Sequence, residues 1–166
     1  MLKSKLLIAL LLFSVTIVKS QNQITFTALT EAFYKNKLLT LTGDDPCKVL
    51  DGFKAHLIDK GYQCIEKNED KETWALGWEP SNKAVAWCYI KDSKSDCIIE
   101  LHLPKEHFNY LGEEIKKYCG YQGWKKQVHG QNSIYYQSYF HSDTETFFSV
   151  YQKRKRYYIY AYRRNS

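Results

Sequence analysis

Apolar residues recur twice at helical spacing along this chain, and each time a run of short alternating segments follows. Leu50, Phe53 and Leu57 form one stripe; Phe108, Leu111 and Ile115 form the second, each 58 residues after its counterpart. Positions three and four apart share one side of a helix, so each stripe predicts a helix packed on one side only. Pro46 and Pro104 precede the stripes at equal offset. Proline is tolerated there because the first amides of a helix have no intrahelical partner. Gly61-Tyr62-Gln63 and Gly120-Tyr121-Gln122 follow, and both glycines read as helix stops. Recurrence in this order predicts a tandem repeat, with a first unit over 46–103 and a second over 104–166.

Strand-like runs fall near 62–66, 73–79, 84–91 and 97–103, and again near 123–129, 133–141, 146–152 and 155–162. Turn-forming residues separate them, among them Pro80-Ser81-Asn82 and Gly130-Gln131-Asn132. Connections this short join antiparallel neighbours, since a parallel pair needs a longer crossover. The expected fold is α+β: one helix and about four strands, twice, giving a single curved antiparallel sheet with helices on one face. Residues 21–45 read as an N-terminal segment with an added helix over 28–40, whose apolar side carries Leu29, Phe33 and Leu38. All of this fits one domain.

The tandem helix-plus-four-strand plan resembles that of the secreted β-lactamase inhibitor proteins, and its unit is similar to that of small envelope proteins of the PepSY type. The likeness runs from about residue 46 onward and rests on element order; no family motif is matched residue by residue. It implies a sheet that grips a partner. Fold alone does not assign function, which has to come from the residues.

Residues 1–20 read as a secretory signal peptide. Lys3 and Lys5 open it, Leu6 to Val18 form its apolar stretch, and Val18-Lys19-Ser20 suits cleavage before Gln21. That stretch is too short to span a bilayer, which takes about 20 apolar residues. The expected location is therefore periplasmic or extracellular, with no transmembrane segment in the mature chain. Loss of Lys3, Lys5 and Lys19 lowers the formal net charge from +6 to +3. The remainder is uneven: residues 21–103 carry a net −3 and residues 104–166 a net +6.

An exported chain meets an oxidising environment, where disulfides persist. Cys47, Cys64, Cys88, Cys97 and Cys119 are an odd set, so at least one stays unpaired and the pairing of the others is open. Without a C-x-x-C pair they suggest neither a thioredoxin-type site nor a zinc ribbon. Cys88 reads as a small buried hydrophobe.

Tyrosine is the unusual component: ten of the fourteen lie between Tyr118 and Tyr162. In the last strand Tyr158, Tyr160 and Tyr162 alternate with Tyr157, Ile159 and Ala161, so the two sets point to opposite faces. Tyrosine is both a favoured strand residue and a favoured interface residue, rigid and apolar with a polar tip. The candidate binding residues are Tyr158, Tyr160 and Tyr162 as anchors, with Arg156 and Arg163 as a charged rim. The tract Lys153-Arg154-Lys155-Arg156 beside them suits an acidic partner patch or an anionic envelope surface, or a hairpin tip protected from edge pairing. The modest mature charge argues against nucleic acid.

Catalytic signatures are weak. Glu100, His102 and His107 are the nearest approach to a ligand cluster, yet Pro104 divides them and no H-E-x-x-H occurs. His141-Ser142-Asp143 holds the residue types of a serine triad, but three consecutive side chains in a turn cannot form its relay. Cys119, at a helix C-terminus, is poorly placed to become a thiolate. The sequence points to an exported, non-catalytic protein-binding or inhibitor-like module with no metal or cofactor. The alternative is a carrier holding a small apolar ligand near Trp74, Trp78 and Trp87.

Overall fold

A computed structural model of the chain describes residues 23–33 and 50–164, with gaps at 70, 80, 82, 93–95 and 130–131. The predicted leader, the expected start of the first unit at Pro46, Leu38 and Cys47 all lie outside the described residues. Within them the fold is α+β. Helix α1 covers 26–33, α2 Leu50–Asp59 and α3 Lys105–Tyr118. Four strands follow α2: β1 (Tyr62–Lys67), β2 (Lys71–Leu76), β3 (Ala86–Asp92) and β4 (Asp96–Leu103). Four more follow α3: β5 (Gly120–His129), β6 (Asn132–His141), β7 (Thr146–Lys153) and β8 (Arg156–Arg164). All eight join one antiparallel sheet in the order β1-β2-β3-β4-β8-β7-β6-β5. Among the described residues no helix is long and apolar enough to cross a membrane.

The described stripe residues pack on the core, Phe108 only in part. Phe53 and Leu57 of α2, and Leu111 and Ile115 of α3, are inaccessible or nearly so. Helix α1 starts two residues earlier than periodicity suggests, because the Thr25 hydroxyl caps it by accepting the Ala28 amide at 3.2 Å. Pro104 stands just before α3, where its carbonyl accepts the Phe108 amide at 3.0 Å.

Directly opposed residues of an antiparallel pair share a face. Register therefore traces one row across the centre of the sheet: Trp74, Cys88, Leu101, Ile159 and Val150. This face is buried beneath the helices; Phe148 on it meets Phe26 of α1, and Tyr157 meets Phe108 of α3. The seam between the two four-strand groups is β4 against β8, paired without a break from Asp96↔Arg164 to Leu103↔Tyr157. At the far side β6 pairs with β7 only over Gln137–His141, so the rest of the β5–β6 hairpin continues as a two-stranded ribbon.

Two boundaries depart from expectation through glycine. Strand β2 ends at Leu76 rather than near 79 because Gly77 turns the backbone left-handed, at φ 61. Gly120 does not stop α3: Cys119 is already extended and β5 begins at Gly120, whereas Gly61 does adopt the left-handed stop after α2, at φ 81. In the second half a left-handed glycine falls instead at Gly123 (φ 89), within the irregularity between Tyr121 and Trp124 of β5. The two replacements Gly61→Ala and Gly120→Ala should therefore differ. The first is expected to cost about 1 kcal/mol for the conformation alone, since its new Cβ would meet only Leu76 Cδ1 at an ordinary 3.6 Å. The second should stay within about 0.5 kcal/mol. Urea denaturation of both variants decides this, and equal losses would rule it out.

Candidate functional site

The face away from the helices is aromatic. Tyr158, Tyr160 and Tyr162 all lie on it, in the row predicted to share one side, and all are half-buried. They stand on β8, at the middle of the sheet, while Ile159 and Ala161 point to the helices and are inaccessible. The row is locked by its neighbours. Tyr158 stacks on Tyr151 of β7 at 4.8 Å and 6°, and receives the edge of His102 of β4 at 4.5 Å. Tyr162 stacks on Phe147 at 5.4 Å, and Trp87 lies parallel to Tyr89 at 6.2 Å. Such contacts hold rings rigid, so little side-chain freedom remains to be lost on binding. Burial pushes the Tyr151 phenol up to about 12, helped by the negative charge of Glu100.

Arg156 is exposed at the start of β8. Arg163 is not. It falls in the odd-numbered set that faces the helices, opposite Cys97, and is 8 % exposed. Its guanidinium lies 3.4 Å from Glu145, with Nε and Nη1 buried and without a hydrogen-bond partner among the described residues. The correction follows from strand alternation: a side chain one residue beyond Tyr162 cannot share its face.

Of the suspected ligand cluster, two members meet and one does not. Glu100 and His102 are alternate residues of β4 on the open face, joined through Oε1 and Nε2 at 2.7 Å. His107 is carried away on α3, where burial lowers its pKa. The His102 ring also packs against those of Tyr89 and Tyr158. His141 bonds the Thr144 hydroxyl at 2.9 Å, while Ser142 donates to Asp143 at 3.3 Å, so these neighbours form no relay. Among the described residues no three His, Cys, Asp or Glu side chains are grouped to hold a metal ion.

The three tryptophans are not brought together. Trp74 is buried on the helix side with its indole N–H on Glu72, Trp87 is on the open face, and Trp78 follows Gly77 outside any strand. Nor are any two of Cys64, Cys88, Cys97 and Cys119 joined to each other. Register sets Cys64 and Cys88 two strands apart, about 9.6 Å at sheet spacing and beyond disulfide reach. Burial holds the Cys88 thiol protonated and pushes Cys119 up to about 12. Desolvation, more than its place at the end of α3, therefore disfavours a Cys119 thiolate.

Sequence reasoning missed a groove beside the tyrosines. It occupies the open face over β3, β4 and β8 as two adjoining hollows of about 600 and about 400 Å³, which share Tyr89 and His102. Basic residues stand at both ends, contributed by segments far apart in the chain. The chain matches no family model, no curated protein and no solved structure.

Proposed function

We propose that this is an exported, non-catalytic binding module that holds a protein partner on the helix-free face of its sheet, in the manner of an inhibitor. The observation that carries this reading is the rigid aromatic row of Tyr158, Tyr160 and Tyr162 at the centre of a sheet face that no described helix covers. Large rings already ordered by stacking, with polar tips and a cation such as Arg156 nearby, have the anatomy of an interface core. The two halves are read as tandem copies of one unit. Their helices bury matching stripes, and their strands run in mirrored order from the β4–β8 seam. The likeness to β-lactamase inhibitor proteins is one of element order, and it agrees with a sheet used as a grip.

The test is capture from native envelope and secreted extract by residues 21–166, beside the variant Tyr158→Ser/Tyr160→Ser. The unaltered chain should retain one stoichiometric protein through moderate salt. The variant, with its fold verified by circular dichroism, should bind that protein at least about 100-fold more weakly, since two hot-spot residues are removed. Equal capture by both chains, or none by either, would overturn the reading.

A further inference from the structure

We infer that the groove over β3, β4 and β8 takes an extended acidic segment of the partner, with carboxylates at its two ends and apolar side chains between them. The inference rests on the sheet-face reading and adds the chemistry of what binds there.

Along the groove the side chains change character in a fixed order. One end carries Lys71 and Lys91, opposed in register on β2 and β3. The middle is Tyr89 beside Glu100, then Trp87 beside His102. The far end carries Lys83, Lys105, Lys155 and Arg156. All six cations are exposed, and none is ion-paired among the described residues. Against them the lining holds, among the described residues, one carboxylate, Glu100, which lies in the middle and is engaged by His102 at 2.7 Å. A surface with this imbalance attracts negative charge and selects where that charge may sit.

The distribution favours a polypeptide over a nucleic acid. A phosphodiester chain carries charge at every step and would lay some of it over Glu100. A peptide places charge only at chosen side chains, and can set apolar ones against Trp87 and the edge of Tyr89, whose ring face already carries the Lys71 ammonium at 4.9 Å. The length agrees with a short extended segment. Lys91 and Val85, which lines the hollow beside the second cluster, stand six residue steps apart along β3 and its lead-in. That is about 20 Å at strand rise, so the two carboxylates belong about six residues apart.

Random decapeptides displayed on phage and selected on the immobilised full chain test this directly. The expected consensus has acidic residues about six positions apart around an apolar centre. Two charge reversals, Lys71→Glu/Lys91→Glu and Lys155→Glu/Arg156→Glu, fall on exposed side chains and should leave folding intact. Each should abolish the preference for one acidic position and weaken the consensus peptide at least about 10-fold. A consensus without acidic residues, no enrichment at all, or equally tight binding of a mixed-sequence single-stranded oligonucleotide would each overturn the inference. The two readings fail separately. Acid-free peptides that are lost in Tyr158→Ser/Tyr160→Ser would remove the acidic segment yet support the sheet face. Acidic peptides that this tyrosine variant still binds would support the groove and remove the tyrosines as anchors.

Discussion

Phe148→Ala is expected to destabilise the protein by about 3–5 kcal/mol, the range for a large side chain removed from a packed core. Phe148 is inaccessible on β7, between Tyr139 and Ala161 in register and 5.8 Å from the Phe26 ring of α1. Ala161 is too small to fill the space its neighbour would leave, and strands bonded on both sides cannot close in. Its sequence neighbour Phe147 is the control. That ring is on the open face, half-buried against Phe140 at 4.7 Å and Tyr162 at 5.4 Å. Phe147→Ala should cost about 1–1.5 kcal/mol, mostly lost ring contact. Urea denaturation of the pair also tests register, because a slip of one residue would exchange the two results. Equal losses would contradict the assignment of faces.

The second large effect centres on Glu72. Its side chain points beneath the helices and is nearly covered, yet it is charged. Oε1 accepts Lys54 at 2.9 Å and Lys67 at 3.1 Å, and Oε2 accepts the Trp74 indole at 3.1 Å. Burial is the largest single influence and acts to raise the pKa; the hydrogen bonds from Lys54, Lys67 and Trp74 together outweigh it and hold the group below its ordinary 4.5. A carboxyl more acidic when folded than when unfolded stabilises the fold fully above the unfolded value. That contribution fades as pH falls below about 4.5 and on through the folded value. Glu72→Ala leaves Trp74 and Lys54 without this acceptor and should cost about 2–3 kcal/mol at pH 7. Glu72→Gln keeps the shape without the charge, and its deficit should shrink as pH is lowered from 7 toward 3. A deficit that stays constant over that range would show that the charge contributes nothing.

Much of the sheet was legible because its strands are strongly patterned and their turns chemically marked. Alternation alone divided Tyr158, Tyr160 and Tyr162 from Ile159 and Ala161. It could not say which set met the helices, since tyrosine suits a core strand as well as an exposed one. Arg163 was misjudged by treating proximity in sequence as proximity in space, although the same alternation contradicts it. Thr25 is a readable cap, but apolar spacing carries no sign of it. The groove was beyond any sequence window. Lys71, Lys91, Lys105 and Lys155 come from separate segments and meet only because β3 adjoins β4 and β4 adjoins β8. Glycine misled for a subtler reason: Gly61 and Gly120 occupy like positions in the pattern, but only the first turns left-handed.

The seam has a consequence for how the molecule comes together. Leu101 and Ile159 are direct neighbours in the sheet and 58 residues apart in the chain. Strand β8, last of the eight in sequence, is thus inserted at the middle, and β4 must wait for it with one row of backbone groups unpaired. Closing this seam is a distant pairing, the slow kind of step that long separation in sequence imposes. During that wait the β8 of a second copy presents the same hydrogen bonds, so exchange of this strand between two chains competes with closure wherever concentration is high.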